Sequence, residues 1–456
     1  MGETYAQDAR SLARWVLQRV RRDQAFANLA LSGALDRARE LKAADRGLAT
    51  ELVYGVLRHR RLIDHVLSLH ARQPLQRMDA EVLDVLRLAV FQLFWLGRVP
   101  DHAAVHEAVD AARRLRGDRV AAFVNAVLRH VRAEDRDREL PPDGPQRLAV
   151  QYSVPDDVAE RWVRQLGLDE ARRLAEAQLE RAPFTVRCNS PKCTVEAVER
   201  RLAAEGAQAT RGRFSPLALQ VRGLDQPFRS RSFLDGAWTV QDEAAQLAAP
   251  LLDPQAGERI LDACAGVGGK ATQLAAVDPS VRVIAADSSE RKLEVLADHC
   301  HRLGLHCDAR RVDLTAPHPL ADGPVDRVLL DAPCSGLGVL RRHPELKWRW
   351  EPASLRGLVR LQRELLSSVF RLLRPGGVLV YSVCTTTEEE GPDQMAWFLD
   401  GAGGAAEPFP PRGAPWDDGL RDGPWVRLWP HRHGTDGFFL ARLRKTREGA
   451  VNLLAE

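Results

Sequence analysis

The chain has 456 residues, 45% hydrophobic and 28% charged, with a net charge of +3. That length leaves room for two to four domains with large cores, and the composition is that of an ordinary globular protein rather than a fibrous or disordered one. The near-neutral balance excludes a globally basic chain, so any face for nucleic acid must come from how the charges are distributed.

Seven cysteines at irregular spacings argue against a disulfide framework and for a reducing compartment. There is no C-x-x-C pair, so no metal site is expected. The N-terminus lacks a signal-peptide pattern, and the longest apolar run, 88–96, is too short to cross a membrane. A cytoplasmic location is the expectation.

Residues 1–140 read as helices only. Apolar residues recur at three- and four-residue steps: Leu12, Val16 and Val20, then Leu52, Val56, Leu62 and Val66, then Val82, Val85, Leu86, Ala89 and Val90. The Pro141-Pro142-Asp143-Gly144-Pro145 stretch marks a boundary. Residues 145–235 predict linker helices and a small α+β module, with a helix over 156–181, a strand over 184–189, a helix over 194–205 and a strand over 217–221. From 236 to 445 short apolar strands alternate with helices, at 259–263, 281–286, 325–330, 378–382 and 438–443. That alternation predicts a parallel, doubly wound sheet with helices on both faces. Residues 446–456 form a tail.

The first of these strands runs into Cys264-Ala265-Gly266-Val267-Gly268-Gly269-Lys270. Glycines allow a tight turn and close approach of the backbone to a ligand at the carboxyl end of the sheet. The second strand ends in Asp287, 21 residues after Gly266. A carboxylate there can accept hydrogen bonds from both hydroxyls of a ribose. Asp313 follows the next strand-like segment and could meet an adenine amino group. There is no G-x-G-x-x-G pattern, and Lys270 is followed by Ala271 rather than Ser or Thr, so no phosphate loop is present. An acid-rich, phosphate-poor site fits S-adenosylmethionine, with NAD as the alternative cofactor.

The strand over 325–330 leads into Asp331-Ala332-Pro333-Cys334-Ser335-Gly336, and that over 378–382 into Val383-Cys384-Thr385. A single free cysteine is most often a small buried hydrophobe. Two at equivalent strand ends beside a cofactor loop point to chemistry. Carbon 5 of cytosine does not take a methyl group directly. A thiolate adding to carbon 6 makes carbon 5 nucleophilic, and the thiolate later leaves. Asp331 would hydrogen-bond the nitrogen 3/nitrogen 4 edge of such a ring. Spacing alone does not say which cysteine attacks.

The segments Val240-Gln241-Asp242-Glu243-Ala244, 262–270, 331–336, Tyr381-Ser382-Val383-Cys384-Thr385 and Thr435-Asp436-Gly437-Phe438-Phe439 resemble the RNA cytosine-carbon-5 methyltransferase family. The resemblance implies that Cys384 is the nucleophile and that Cys334 aids product release. DNA cytosine methyltransferases instead attack from a Pro-Cys cysteine. One departure is visible: the loop reads Ala265-Gly266-Val267-Gly268-Gly269 where the family has Ala-Ala-Pro-Gly-Gly. Residues 45–58 and 123–129 resemble the RNA-binding NusB-like domain. Together these parts resemble the RsmB (Sun/Fmu) family, whose members modify 16S ribosomal RNA. The resemblance implies an all-α NusB-like N-terminal domain, a small α+β module and an α/β Rossmann-like (class I) methyltransferase domain. It also implies S-adenosylmethionine as cofactor and RNA as partner. Arg58, Arg60, Arg61, Arg113, Arg114 and Arg116 would contact phosphates if they share a face. A non-catalytic RNA-binding scaffold that retains the fold, a 5-methylcytosine methyltransferase acting on another RNA and a DNA cytosine methyltransferase are the competing expectations.

Overall fold

The computed structural model describes residues 8–316, 323–411, 413, 415–417 and 419–447. It forms two compact units. One holds the described residues through Glu180 together with Leu340–Trp350, and the other holds Arg181–Val339 and the described residues from Glu351 onward. Among the described residues no helix is long and apolar enough to cross a membrane.

The first unit is helical, with Ala9–Arg22, Ala27–Arg37, Ala43–His70, Ala80–Trp95, Asp101–Arg116 and Asp118–Leu128 around one core. Every apolar residue picked out by periodicity in 1–140 is buried, which is what a helical stripe facing a common core requires. Asp8 starts the first helix by accepting from the Arg10 and Ser11 N–H groups, both at 2.8 Å. Gly55 lets two helices approach: a Cβ there would lie 1.9 Å from the Phe91 ring. The stretch read as one helix over 156–181 is two, Asp156–Leu166 and Leu168–Ala177, separated by Gly167 at φ 78°.

The segment Leu340–Trp350 is built into this unit. Trp348 Nε1 donates to Leu57 O at 2.8 Å, and Lys347 Nζ donates to Arg58 O at 2.8 Å. Glu345 accepts from the Ala27 N–H at 3.1 Å. Burial pushes Lys347 down to about 7.

The second unit opens with a small antiparallel sheet of β1 (Phe184–Cys188), β2 (Gln208–Arg211), β3 (Ala218–Arg222) and β4 (Trp238–Val240), in the order β2-β3-β1-β4. Helix Val195–Ala204 packs on it through Val198 and Leu202. The large sheet follows: β5 (Arg259–Asp262), β6 (Arg282–Asp287), β7 (Asp308–Arg311), β8 (Val325–Asp331), β9 (Leu373–Val383), β10 (Ala406–Pro408), β11 (Arg421–Asp422), β12 (Trp425–Leu428) and β13 (Phe438–Lys445). Its order is β11-β12-β13-β9-β8-β5-β6-β7, with β10 also paired to β13. Strands β5 to β9 are parallel, as expected. The closing strand β13 is antiparallel to β9, so the sheet is mixed rather than wholly parallel. It reaches the sheet from β12 without the long crossover that a parallel neighbour needs.

Alternate residues of the strands feed two cores, one on each face. Ile260, Ala285, Leu329 and Val380 face helices Gly269–Ala275 and Glu290–Leu303. Leu261, Ala286, Leu330 and Tyr381 face helices Pro352–Leu372 and Pro392–Gly401. Strand order reverses between β5 and β8, where ligands of doubly wound sheets bind.

Candidate active site

The loop after β5 is shaped by two glycines in the left-handed region, Gly266 at φ 56° and Gly268 at φ 87°. A Cβ on Gly268 would come within 2.7 Å of Leu296 Cγ. The Gly266 N–H donates to Asp287 Oδ2 at 3.0 Å, and the Ser289 N–H donates to Asp287 Oδ1 at 2.8 Å. Asp287 therefore meets the glycine loop. Behind the loop, buried Arg187 donates to Gly269 O at 2.7 Å, to Thr272 Oγ1 at 3.0 Å and to Gln241. Burial pulls this guanidinium down to about 9.

Ala265 is buried, Cys264 half-buried and Val267 exposed. Burial pushes the Cys264 thiol up, and the charges of Asp262, Asp331 and Asp287 add to it. Asp313 is exposed and accepts from Thr315 N at 2.9 Å and Thr315 Oγ1 at 2.6 Å. It thus caps its own turn.

Asp262 ends β5 with no solvent exposure; no side chain donates to its carboxylate, and the Ala271 N–H approaches it without good hydrogen-bond geometry. Burial, and then the charge of Asp331, raise it to about 7. An orphaned buried carboxylate is costly unless a cation or donor joins it. The sequence places Asp262 at the boundary of the pocket but not among the cofactor ligands, because an acid at a strand end gives no sign of how dry its surroundings are.

The two cysteines lie at the ends of adjacent parallel strands, with Asp331 level with Ser382 in register. Cys334 Sγ and Cys384 Sγ are 3.3 Å apart. The hydrogen bond with Cys384, followed by burial, drives the Cys334 thiol well above its ordinary value. Cys334 is therefore held as the protonated thiol. Lys270 Nζ donates to Asp331 Oδ2 at 2.6 Å, and Ser382 Oγ donates to Asp331 Oδ1 at 2.9 Å. Burial lowers the Lys270 pKa, but Asp331, its hydrogen bond and Cys384 outweigh that and raise it. The Lys270 cation thus lies within electrostatic reach of the Cys384 sulfur. The residues taken from the sequence at 264–270, 287, 331, 334 and 384 thus share one end of the sheet, at the strand-order reversal.

A Bacillus subtilis protein named "Probable ribosomal RNA small subunit methyltransferase B" is 33% identical over 453 residues, 96% of this chain and 98% of its own length. Ribosomal RNA small subunit methyltransferase B of Pectobacterium carotovorum is 32% identical over 408 residues, 89% and 92% of the two chains. Residues 249–444 match the family described as 16S rRNA methyltransferase RsmB/F. The chain belongs to the RsmB/F methyltransferase family.

Two further regions of this RsmB/F chain match known domains: residues 7–133 the NusB family, and 154–227 the RsmF/B-like ferredoxin-like domain. The all-α first domain and the α+β module were both expected from the sequence. The solved structure of PH0851 superposes with a TM-score of 0.81 at 28% identity, covering 97% of this chain and all of that one.

Arginines in the NusB-like unit answer largely to acids of the same unit. Arg61 lies 2.6 Å from Asp156, Arg113 2.9 Å from Asp118 and Arg116 2.9 Å from Asp79. These ion pairs were not legible in the spacing that suggested a phosphate-contacting face. Among the described residues of this RsmB/F chain, no group of three or more His, Cys, Asp or Glu could hold a metal ion.

Sequence reading also missed two features that knit the cysteine loops together. The Gly338 N–H donates to Cys384 O at 3.1 Å, and the Gly437 N–H donates to Gly338 O at 2.8 Å. Glu390, with no solvent exposure, accepts from Ser335 and Thr387 on the two loops.

Proposed function

We propose that this chain methylates carbon 5 of a cytosine in small-subunit ribosomal RNA, through a covalent bond from Cys384 Sγ to carbon 6 of the ring. The observation that carries the reading is the Cys334–Cys384 thiol pair beside the Lys270–Asp331 ion pair. Support for the RNA comes from the names of the relatives and from the NusB-like unit.

The residues present fit S-adenosylmethionine. Asp262, buried and with no side-chain donor, suits a cationic ligand. Gly266 and Gly268 keep the loop backbone open, and Asp287, held against that loop, suits a ribose. Residues 264–270, Asp287 and Asp331 would hold the cofactor. Asp313, exposed and bonded within its own turn, would reach an adenine edge only as the outermost of these acids. When bound, S-adenosylmethionine supplies an electrophilic methyl group on a cationic sulfur.

Cys384 gives up its proton and its thiolate adds to carbon 6, while the Lys270 ammonium balances the charge. Asp331, fixed by Lys270 and Ser382, faces the nitrogen 3/nitrogen 4 edge and stabilises charge there. Addition breaks the ring's conjugation and makes carbon 5 nucleophilic toward the methyl group. Loss of the carbon-5 proton then restores the ring and expels the Cys384 thiolate. Cys334, which retains its proton beside Cys384, assists this release. The base would be read after leaving its stack.

The test uses 16S ribosomal RNA and methyl-labelled cofactor. Label on carbon 5 is expected. Label on an amino nitrogen or a ribose oxygen refutes the chemistry, and methylation of duplex DNA in preference to RNA refutes the substrate. Cys384→Ala should abolish both turnover and denaturant-stable RNA adducts, whereas Cys334→Ala should accumulate the adduct. The reverse pattern moves the nucleophile to Cys334. Absence of cofactor binding by calorimetry would favour a non-catalytic scaffold.

A further inference from the structure

The side chain of Glu390 lies where the two cysteine loops converge, yet it touches neither sulfur. It is fully buried, and four donors surround its carboxylate. The Ser335 N–H donates to Oε1 at 2.8 Å and Ser335 Oγ to Oε2 at 2.5 Å. Gln362 Nε2 donates to Oε1 at 3.0 Å and Thr387 Oγ1 to Oε2 at 2.8 Å. A carboxylate is acceptor-only, so four donors fill its capacity.

Those donors come from three parts of the chain. Ser335 directly follows Cys334, and Thr387 lies three residues beyond Cys384. Gln362 also donates to Pro333 O at 2.9 Å, directly before Cys334. Ser335 Oγ and Thr385 Oγ1 are 2.6 Å apart, which ties the residues following the two cysteines to each other. The Tyr381 hydroxyl donates to Glu390 O at 2.8 Å, which fixes the acid's own backbone to β9. The Cys334 loop is therefore gripped on both sides of its sulfur by one carboxylate and the glutamine that shares it.

We propose that Glu390 is a positioning residue that sets the Cys334 thiol against Cys384, so that its loss slows release of the RNA adduct more than formation of that adduct. The inference rests on the covalent route proposed above. Cys384 keeps the Lys270 cation independently of Glu390, so attack on carbon 6 retains its charge balance. Cys334 is instead held by its partner thiol, by the Gly336 N–H and by this network around its two neighbours in the chain. The charge of Glu390 also helps keep the proton on Cys334, after the Cys384 hydrogen bond and burial.

Glu390→Gln tests this with little change of shape. An amide keeps one acceptor oxygen and puts N–H donors in place of the other, so the Ser335 and Thr387 hydroxyls must turn from donating to accepting and the charge that held both loops is lost. The experiment uses the full chain, 16S ribosomal RNA and S-adenosylmethionine, with Cys334→Ala and Cys384→Ala alongside. Turnover should fall about tenfold or more, while the denaturant-stable RNA adduct rises toward the Cys334→Ala level and cofactor affinity is kept. A simple packing defect would lower turnover and adduct together. Thr387→Val and Gln362→Leu each remove one donor and should give the same pattern more weakly, which keeps the idea testable if Glu390→Gln misfolds.

Native turnover in Glu390→Gln, or loss of turnover without adduct, overturns the proposal. If Cys334→Ala traps adduct and none of the network variants does, the role of Glu390 fails alone. If Cys334→Ala itself forms no adduct, the covalent reading fails and this inference falls with it.

Discussion

Replacing Gly338 with alanine should cripple catalysis while leaving the cofactor pocket in place. A Cβ at 338 would stand 2.0 Å from Gly437 O, 2.7 Å from Gly437 C and 2.9 Å from Cys384 O. All three neighbours are backbone atoms, so no rotamer change relieves the clash. Ordinary contact begins at 3.4 Å, which requires the strands of chain to part by about 1.4 Å in a tightly packed region. Two hydrogen bonds hold them together now, from Gly338 N to Cys384 O and from Gly437 N to Gly338 O. Losing both costs on the order of 2 kcal/mol, and overpacking adds roughly 1–3 kcal/mol. A shift of this size, four residues from Cys334 and at the carbonyl of Cys384 itself, should lower kcat by about a hundredfold. Single-turnover methyl transfer to 16S ribosomal RNA measures the effect. Calorimetric titration with S-adenosylmethionine checks that residues 264–270 remain intact. Native kcat in Gly338→Ala would refute the argument that the two loops are locked by backbone contact.

Four other outcomes follow from particular groups. Asp262 is raised to about 7 from its ordinary 3.8, so the folded chain binds more protons than the unfolded chain between those values, and stability is lost as pH rises from about 4 through 7. Asp262→Asn without cofactor should match the native unfolding free energy near pH 4 and exceed it increasingly up to pH 8, by at most about 4 kcal/mol in denaturant titrations; a constant difference across that range refutes the assignment. Gly47, in helix Ala43–His70, has nothing within 4 Å of a built Cβ, so Gly47→Ala should stabilise by about 0.5–1 kcal/mol in thermal melts. Gly55→Ala, aimed at the Phe91 ring, should instead destabilise by roughly 1–3 kcal/mol, and equal melting of the two variants would count against both. The 3.3 Å separation of Cys334 and Cys384 sulfurs should let the thiol oxidant diamide join them as a disulfide, with loss of activity that dithiothreitol restores; mass spectrometry showing no intact-chain loss of two hydrogens would contradict it.

The strand ends that carry the site were readable because each apolar run stops at a residue with chemistry: Asp262, Asp287, Asp331 and Cys384. The edge of the sheet was not readable. Strand β10 is three residues with a proline, β11 is two exposed residues, and β12 lies just past Gly423-Pro424. None has the alternation that marks a half-buried strand. Glu390 ends the run Thr385-Thr386-Thr387-Glu388-Glu389-Glu390, which reads as solvent-facing. Its burial depends on donors 55 and 28 positions away, Ser335 and Gln362. The same non-locality hid the pairing of Arg61 with Asp156 and of Arg116 with Asp79. Local pattern reports which face is apolar; it does not report which distant polar group will satisfy a buried one.

The place of β13 in the sheet has a consequence for the order of assembly. It covers the outer edge of β9, from Phe439 opposite Val383 to Arg444 opposite Val378, and Gly437 just before it closes on Gly338. Until residues 437–445 emerge from the ribosome, β9 has a raw edge and the turn carrying Cys334 lacks its last support. Synthesis therefore completes the paired-cysteine end of the sheet late, after the helical unit and the glycine loop are already available to fold. A nascent chain halted before that point would possess both sulfurs without the brace that fixes them side by side.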